Sequence, residues 1–337
     1  MDSLTHIALG ACIAEVFFDK KIGKKALLWG ALAQSLPDID FVAGLWMPVS
    51  QELLAHRGFT HSILFVALIT PVLALLAERW HKPHNISFRR WILFFGGVIG
   101  AHIFLDAFNN YGTGWLEPFS HFRISFNTLY VADPFFSISP FIAALFILVY
   151  RKSLIWNKRI AVLGLSLSLM YVCYCLINKY TIDHKVKAVL TQQEIYYTEY
   201  FTTPAPLQNW LWYVVAADDH GFHVGFLSLF DREKTMTFQY FSKDDSLLNA
   251  TANHEEVAKL KRFSQGFYTV EYWGDTLVFN DLRFGQMVGW QDPTQKFVFH
   301  YFLKDKADNS IVVQRGRFKY WDRQVAANLV RRMFSIH

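Results

Sequence analysis

Histidine and aspartate recur in the first third of the sequence at spacings that suit metal binding. His102 and Asp106 are four residues apart, so they share one face of a helix, as two ligands from a single helix must. Asp38 and Asp40 flank one residue in a turn after a proline, which allows both carboxylates to point inward. Imidazole and carboxylate are the usual ligands of zinc and of other catalytic divalent ions. The candidate metal ligands are His6, Asp38, Asp40, His56, His61, His102 and Asp106.

Each candidate ligand also has an ordinary structural interpretation. His6 could begin a helix at a membrane interface, and Asp106 could bond to the turn that follows it. The two aspartates near residue 40 could shape a turn, and the two histidines near residue 60 could be solvated loop residues. These alternatives lose weight if all the groups meet at one place.

Two of the residues in this region are candidates for catalysis. Asp40 could be a bridging ligand or a general base. Arg57 is the only Lys or Arg in residues 37–61 and could pair with a substrate anion. A salt bridge from Arg57 to Asp38, Asp40 or Glu52 is an equally good interpretation.

Long apolar segments must position these groups. The chain has 337 residues, of which 53% are hydrophobic and only 18% are charged, against about 25% charged in a typical soluble domain. The apolar runs lie before residue 180 and are near the lower length limit for crossing a bilayer. We therefore predict a helical membrane domain over residues 1–180, with about six helices of which four to six span. The strongest runs are 62–77, 91–107, 135–150 and 160–177, preceded by the shorter 4–18 and 22–36.

Basic residues occur in alternate loops, which predicts the orientation. The loops near residues 20–25, 79–90 and 151–159 each contain four Lys or Arg, whereas 37–61 and 108–134 contain one each. By the positive-inside rule the basic loops are cytoplasmic. The N-terminus, the His/Asp groups and the region after residue 180 are then extracytoplasmic. Alternation of the helices brings the His/Asp groups to this one face, where ionisable residues near lipid are functional candidates.

Residues 181–337 have the character of a second, soluble domain. Apolar and polar residues alternate in short runs between 194 and 315, and helical stretches lie at 253–263 and 321–334. We predict an extracytoplasmic α+β domain rich in antiparallel sheet, with a regulatory or substrate-gripping role as a hypothesis. The net charge of +5 arises from short basic clusters between apolar runs, so no nucleic-acid partner is expected. The three cysteines lie in apolar segments and form no disulfide framework or zinc motif.

The motifs together resemble a known family. Asp2-Ser3-Leu4-Thr5-His6, Leu36-Pro37-Asp38-Ile39-Asp40, His56-Arg57-Gly58-Phe59-Thr60-His61-Ser62 and the HxxxD pair resemble the bacterial inner-membrane metal-dependent hydrolases, some of which are called LexA-regulated inner-membrane hydrolases. The resemblance covers about residues 1–180, and 273–285 resembles the tail of one branch of that family.

A more distant resemblance is to zinc-dependent phospholipase C and related zinc-dependent nucleases. Their ligand order of His, Asp, His and HxxxD is matched here by His6, Asp38 or Asp40, His56 or His61, and then the pair at 102 and 106. This resemblance implies a divalent metal, zinc first. The chain has no second HxxxD/E helix, so one or two ions are expected.

The leading hypothesis is a membrane-embedded, metal-dependent hydrolase of the bacterial inner membrane, a phosphoesterase acting on a lipid or lipid-linked substrate at the outer face. A divalent ion would activate water and hold a phosphoryl oxygen. The alternative is a non-catalytic membrane protein with a structural metal or polar His/Asp network and a partner-binding outer domain. A transporter is less favoured, because its ionisable residues should lie near mid-membrane and these lie at helix ends.

Overall fold

The structure of the protein is a computed structural model. It describes residues 1–18, 22–150, 154–231, 236–251, 253–303 and 321–335. The chain divides into two compact units, one comprising Met1–Trp46 and Ala55–Cys175 and the other comprising Met47–Leu54 and Leu176–His337.

The first unit is helical, as predicted. Short 3-10 helices at Pro37–Leu45, Phe59–His61 and Lys82–His84 lie between the longer elements. The α-helices between residues 3 and 192 are α1 (Ser3–Phe18), α2 (Lys24–Ser35), α3 (Val49–Ala55), α4 (Ile63–Trp80), α5 (Phe88–Asp106), α6 (Pro134–Tyr150) and α7 (Leu154–Gln192), of which nearly all of α3 and the end of α7 belong to the second unit.

Three helices within the described ranges are long and apolar enough to cross a membrane: α4, α5 and the Ile155–Gln192 part of α7. The prediction of at least four spanning helices was therefore too high. The predicted span 135–150 corresponds to α6, whose 17 residues extend about 26 Å, short of the roughly 30 Å apolar core of a bilayer. The 16-residue α1 is shorter still.

Helices α1 and α2 pack closely because each contributes a glycine at the crossing. A Cβ atom on Gly10 would lie 2.2 Å from the carbonyl oxygen of Gly30, and one on Gly30 would lie 2.0 Å from that of Gly10. Small residues are what allow helix backbones to approach in this way. The crossing brings the start of α1 beside the end of α2, where His6 Nδ1 lies 3.4 Å from Gln34 Nε2.

An aromatic core joins α1, α2, α4 and α5. Phe18, Trp91, Phe94 and Phe95 are at most 1% exposed and pack with Ala74, Ala77 and neighbouring residues. The opposite faces of the outer helices carry large exposed apolar side chains such as Leu68 on α4. Helices apolar on both faces are typical of membrane spans.

Helix α7 has 39 residues and a length of about 58 Å. Its C-terminal part belongs to the second unit, where Ile182, Val186, Val189 and Leu190 are buried against the first sheet. The helix therefore continues well past residue 180.

The second unit contains two antiparallel sheets, which confirms the predicted soluble domain with antiparallel sheet. The strands of the first sheet lie in the order β1 (Glu199–Pro204), β2 (Leu211–Ala217), β3 (Gly221–Ser228) and β4 (Gln239–Ser242). The strands of the second sheet lie in the order β5 (Tyr268–Trp273), β6 (Thr276–Gln286) and β7 (Phe297–Phe302). Their cores meet at an aromatic cluster that includes Phe201, Phe222, Phe267 and Phe297. A 3-10 helix at Asp245–Ala250 and helices α8 (His254–Phe263) and α9 (Arg323–Met333) complete the described elements. The predicted strand at 310–315 lies outside the described residues.

Candidate metal centre

Four of the predicted ligands converge in the first unit. One donor atom from each of Asp38, His61, His102 and Asp106 lies within 4.8 Å of the others. Asp38 comes from the 3-10 helix that follows α2, and His61 from the one that precedes α4. His102 and Asp106 lie one turn apart at the C-terminal end of α5. The ends of three helices thus supply the four side chains, as the alternation of the helices predicts.

Five of the six distances among the four donor atoms are close to those of a tetrahedral site. His61 Nε2 lies 3.2 Å from His102 Nε2, 3.6 Å from Asp38 Oδ1 and 3.4 Å from Asp106 Oδ2. His102 Nε2 lies 3.5 Å from Asp38 Oδ1 and 3.8 Å from Asp106 Oδ2. Ligand atoms at tetrahedral positions 2.0–2.1 Å from a zinc ion stand about 3.3–3.4 Å apart. The observed distances therefore fit one divalent ion.

Three of the four converging side chains are fully buried. The side chains of His61, His102 and Asp106 are 0% exposed, whereas that of Asp38 is 17% exposed. Asp38 Oδ2 and Asp106 Oδ2 are buried and accept no hydrogen bond of good geometry in the part of the chain that the structure describes, although Arg57 Nε forms an ion pair with Asp106 Oδ2 at 3.1 Å. Buried carboxylate oxygens normally have hydrogen-bond donors or bind a metal. The donor set and these two oxygens together fit a divalent cation.

The two imidazole rings are held so that Nε2 faces the cluster. His61 Nδ1 lies 3.3 Å from Asp40 Oδ2 and 3.1 Å from Thr60 Oγ1. His102 Nδ1 lies 2.5 Å from the backbone oxygen of Gln34. Metal-binding histidines commonly donate their second nitrogen to a carboxylate or a backbone carbonyl, which fixes the tautomer. Both rings satisfy that requirement.

Asp40 and His56 lie outside the group of four. Asp40 Oδ2 accepts hydrogen bonds from the backbone nitrogen of Arg57 at 2.7 Å and from Thr60 Oγ1 at 3.1 Å. Asp40 Oδ1 lies 2.8 Å from Nδ1 of His56, whose side chain is 31% exposed. The structure thus places Asp40 beside the Nδ1 edge of His61, away from the converging atoms. His56 lies on the far side of Asp40 from His61. Their assignment as metal ligands stays a prediction.

His6 contacts the other oxygen of Asp106. His6 Nε2 lies 3.0 Å from Asp106 Oδ1, and its ring stacks on that of His102 at a centroid distance of 3.8 Å. The α-amino group of Met1 also contacts Asp106 Oδ1. Asp106 therefore presents one oxygen to the group of four and the other to His6.

Arg57 is buried beside the cluster, at 3% exposure, in a left-handed backbone conformation with φ 56°. Its Nε lies 3.1 Å from Asp106 Oδ2, and its Nη1 donates to Asn109 Oδ1 at 2.7 Å. The salt bridge thus forms with Asp106, which was not among the three acids considered from the sequence. The guanidinium also lies over the ring of Tyr111, 5.1 Å from its centroid.

Two residues that support the site, Gln34 and Thr60, were not predicted from the sequence, and Asn109 was considered only as part of the turn to which Asp106 could bond. The signal for Gln34 is a polar residue near the end of an apolar helix, where it is 0% exposed. The signal for Asn109 is its place in the polar turn that directly follows the HxxxD pair. Thr60 adjoins a predicted ligand, but nothing in its type marks it as a partner.

At three residues of the site, contacts between imidazole and carboxylate groups outweigh the effect of burial on the pKa. Burial lowers the pKa of His61, but its contacts with the carboxylates of Asp106, Asp38 and Asp40 raise that pKa to about 9. Burial likewise raises the pKa of Asp38, but hydrogen bonds from His102 and His61 hold it well below its usual range. The pKa of Asp40 is lowered in the same way by its two neighbouring histidines, against the effect of burial. Asp38 and Asp40 are therefore charged at neutral pH, as a metal ligand and its supporting carboxylate must be.

Membrane-spanning helices and a buried His/Asp cluster define this chain as a multi-pass membrane protein with a candidate metal centre. Residues 1–182 match the family model described as YdjM inner membrane protein, and the chain belongs to this family. The match confirms the predicted membership of a bacterial inner-membrane family and the inner-membrane location, whereas the hydrolase activity of that prediction stays a proposal.

Two curated relatives are similar to the chain over part of its length. The inner membrane protein YbcI of Escherichia coli K12 is 31% identical over 122 residues, which cover 36% of this chain and 69% of YbcI. The uncharacterized protein YfhP of Bacillus subtilis 168 is 33% identical over 149 residues, which cover 41% of this chain and 44% of YfhP. No solved structure matches the chain significantly.

Proposed function

We propose that the protein is a membrane-embedded, metal-dependent hydrolase, and specifically a phosphoesterase that acts on a lipid or lipid-linked substrate. The observation that carries this proposal is the convergence of four His and Asp donor atoms at one end of the helical unit, where the two histidine nitrogens lie 3.2–3.8 Å from each other and from both carboxylates. Zinc suits this donor set and geometry best.

Asp38, His61, His102 and Asp106 would hold the ion. A bound divalent ion supplies a Lewis acid for a phosphoryl oxygen and makes a bound water acidic enough to attack at neutral pH. Asp38 is the most exposed of the four, at 17%, so water and substrate would approach on its side. A second ion, if bound, would use His6 and Asp106 Oδ1, which lie 3.0 Å apart.

The surrounding residues would position the ligands and move protons. Asp40 orients His61 from one oxygen and His56 from the other. His56 is partly exposed, is paired with a carboxylate and has its ring centroid 6.4 Å from that of His61, so we assign it the role of passing a proton from the site to solvent. Arg57 would orient Asp106 and balance its charge, because its guanidinium is buried against that carboxylate.

Apolar side chains around the site favour a lipid or lipid-linked substrate. Ile39 and Phe41 alternate with the two aspartates and are 50% and 68% exposed, while Phe59, two residues before His61, is 45% exposed. Exposed apolar residues beside a polar site are typical of a surface that binds lipid. The basic loops at the other ends of the helices support an extracytoplasmic position for the site.

A structural metal is the second candidate function. It is favoured by the complete burial of His61, His102 and Asp106, because closed sites with four protein ligands are typical of structural zinc. In that case the protein would hydrolyse no substrate, and replacing His56 by alanine would change no reaction rate.

The test compares metal content and hydrolysis in the same preparations. Purified protein in liposomes would be loaded with Zn²⁺ and assayed for phosphate-ester hydrolysis with phospholipids and a chromogenic phosphodiester. We expect His61→Ala to lose both metal and activity, and His56→Ala to keep metal but to lose rate, because protons would leave the site more slowly. His223→Ala, in the second unit, is the matched control and should change neither. Metal bound at full occupancy with no hydrolysis of any substrate would reject the hydrolase and support the structural role.

A further inference from the structure

We infer that the second unit rests on the surface of the bilayer through an aromatic foot formed by Trp210, Phe230, Val330 and Phe334. The occupant of this surface is the lipid headgroup region of the membrane that α7 crosses. This inference does not depend on the proposed hydrolysis.

The foot is a continuous patch of exposed apolar side chains. The ring of Phe334 lies 6.0 Å from that of Trp210 and 5.3 Å from that of Phe230. Phe230, Val330 and Phe334 are 46%, 49% and 43% exposed. Val330 lies one helical turn before Phe334, so it extends the same patch. Exposed apolar clusters of this kind mark contact surfaces, whereas single exposed residues do not.

Hydrogen bonds place the foot at the level where α7 leaves the membrane. The apolar run of α7 ends at Ile177, which is 65% exposed, and Asn178 is the next residue. Asn178 Nδ2 donates to both the backbone and side-chain oxygens of Asn209, at 3.2 and 3.0 Å. Trp210 follows directly in the chain, so it lies at the depth where the bilayer core gives way to headgroups. Tryptophan is enriched at that depth in membrane proteins.

A second contact fixes the position of Phe230 along the axis of α7, and thus its distance from the bilayer core. Lys185 Nζ donates to the backbone oxygen of Leu229 at 2.7 Å. Lys185 is seven residues beyond Asn178, or about 10 Å along the helix axis, and helical side chains lean back toward the N-terminus. Phe230 therefore lies within about 10 Å of the level of Trp210, close to the outer edge of the headgroup region.

The foot is rigid and carries positive charge. Helix α9 is anchored by the buried residues Val325, Leu329 and Met333. Arg332 is fixed by Asp231 at 2.9 Å and by the backbone oxygen of Phe226, also at 2.9 Å. Arg331 is exposed beside Val330, where it can meet lipid phosphate. Aromatic residues next to arginine are the composition of interfacial membrane contacts.

Site-directed spin labelling tests this inference in the full chain. Cys12, Cys173 and Cys175 would be replaced by Ala, and single labels placed by Phe230→Cys and by Phe334→Cys. The matched control is Tyr272→Cys, because Tyr272 is 52% exposed and lies in the second sheet. Collision rates with oxygen, which concentrates in lipid, and with a water-soluble nickel chelate would be measured in phosphatidylethanolamine and phosphatidylglycerol vesicles.

We expect the ratio of oxygen to nickel collisions to be severalfold higher at both foot positions than at the control. Equal ratios at all three positions would overturn the inference, since the foot would then face water. Reduced collisions with both reagents, together with spin–spin broadening that grows with protein density, would overturn it in favour of a second copy of the chain. Two independent positions guard against a local effect of either substitution.

Discussion

Asp40→Asn tests whether this carboxylate supports the metal site from behind His61. The carboxylate contacts His61 Nδ1 at 3.3 Å and His56 Nδ1 at 2.8 Å, and it accepts from the backbone nitrogen of Arg57 at 2.7 Å. An asparagine side chain has the same size and keeps one acceptor oxygen, but it replaces the other oxygen by an NH₂ group. That NH₂ group would then face groups that donate hydrogen bonds to the carboxylate in the wild type. The ring of His61 would then lose its carboxylate partner and part of its basicity.

The expected loss is 10- to 100-fold in metal affinity, the usual effect of removing such a supporting carboxylate, or about 1.4–2.8 kcal/mol. Thr60 Oγ1 remains 3.1 Å from His61 Nδ1 and can still orient the ring, which favours the lower end of that range. Competition between the purified protein and a chromogenic zinc chelator would measure the affinity.

Asp218→Asn is the matched control, because Asp218 contacts His223 Nε2 at 3.2 Å in the second unit. It removes the same kind of Asp–His pair and should leave zinc affinity unchanged. Wild-type affinity in Asp40→Asn would refute a supporting role for Asp40. Loss of binding as complete as in His102→Ala would instead make Asp40 a ligand, as the sequence analysis considered.

Two further predictions concern the helical unit. Gly10→Leu should lower the free energy of unfolding by about 1–3 kcal/mol or more, because its side chain would meet the backbone of Gly30. The control Gly97→Ala adds a Cβ with no neighbour within 4 Å, so it should be neutral or slightly stabilising. Thermal unfolding in detergent would measure both variants. Burial raises the pKa of Asp133 to about 6 despite its hydrogen bonds from Tyr171 and the α6 backbone. Its protonated form therefore stabilises the fold, with a contribution present below about pH 4 and lost as the pH rises through 6, at most about 3 kcal/mol. The melting temperature of the wild type should fall between pH 5 and 7 more steeply than that of Asp133→Asn, and parallel curves would contradict this.

The alternation of apolar runs and loops was enough to predict where the site forms. His61 precedes α4, and His102 and Asp106 end α5, so helix direction alone places them at one end. Sequence could not decide between Asp38 and Asp40. Both lie in a 3-10 helix, where residues two apart differ by about 120° in direction, so they cannot both face the same point. They contact opposite edges of the His61 ring instead.

The antiparallel sheet of the soluble domain was predicted correctly, but the ends of its strands and helices were predicted less well. The predicted strand 276–279 is the first part of β6, which runs over 11 residues from Thr276 to Gln286. Asp281 and Arg283 interrupt the apolar pattern, yet both are buried, because Arg283 Nε and Nη2 donate to the Asp281 carboxylate at 3.0 and 2.6 Å. Likewise, α7 continues to Gln192 because its last turns bury Val186, Val189 and Leu190 on a sheet.

The central claim is that Asp38, His61, His102 and Asp106 bind a divalent ion. Elemental analysis of protein purified from the membrane, without added metal and after dialysis against a weak chelator, tests it most directly. We predict one to two equivalents of zinc per chain in the wild type and a loss of at least one equivalent in His102→Ala, with the His223→Ala control unchanged. A wild-type protein without bound metal, or a metal content that His102→Ala leaves intact, would contradict the account.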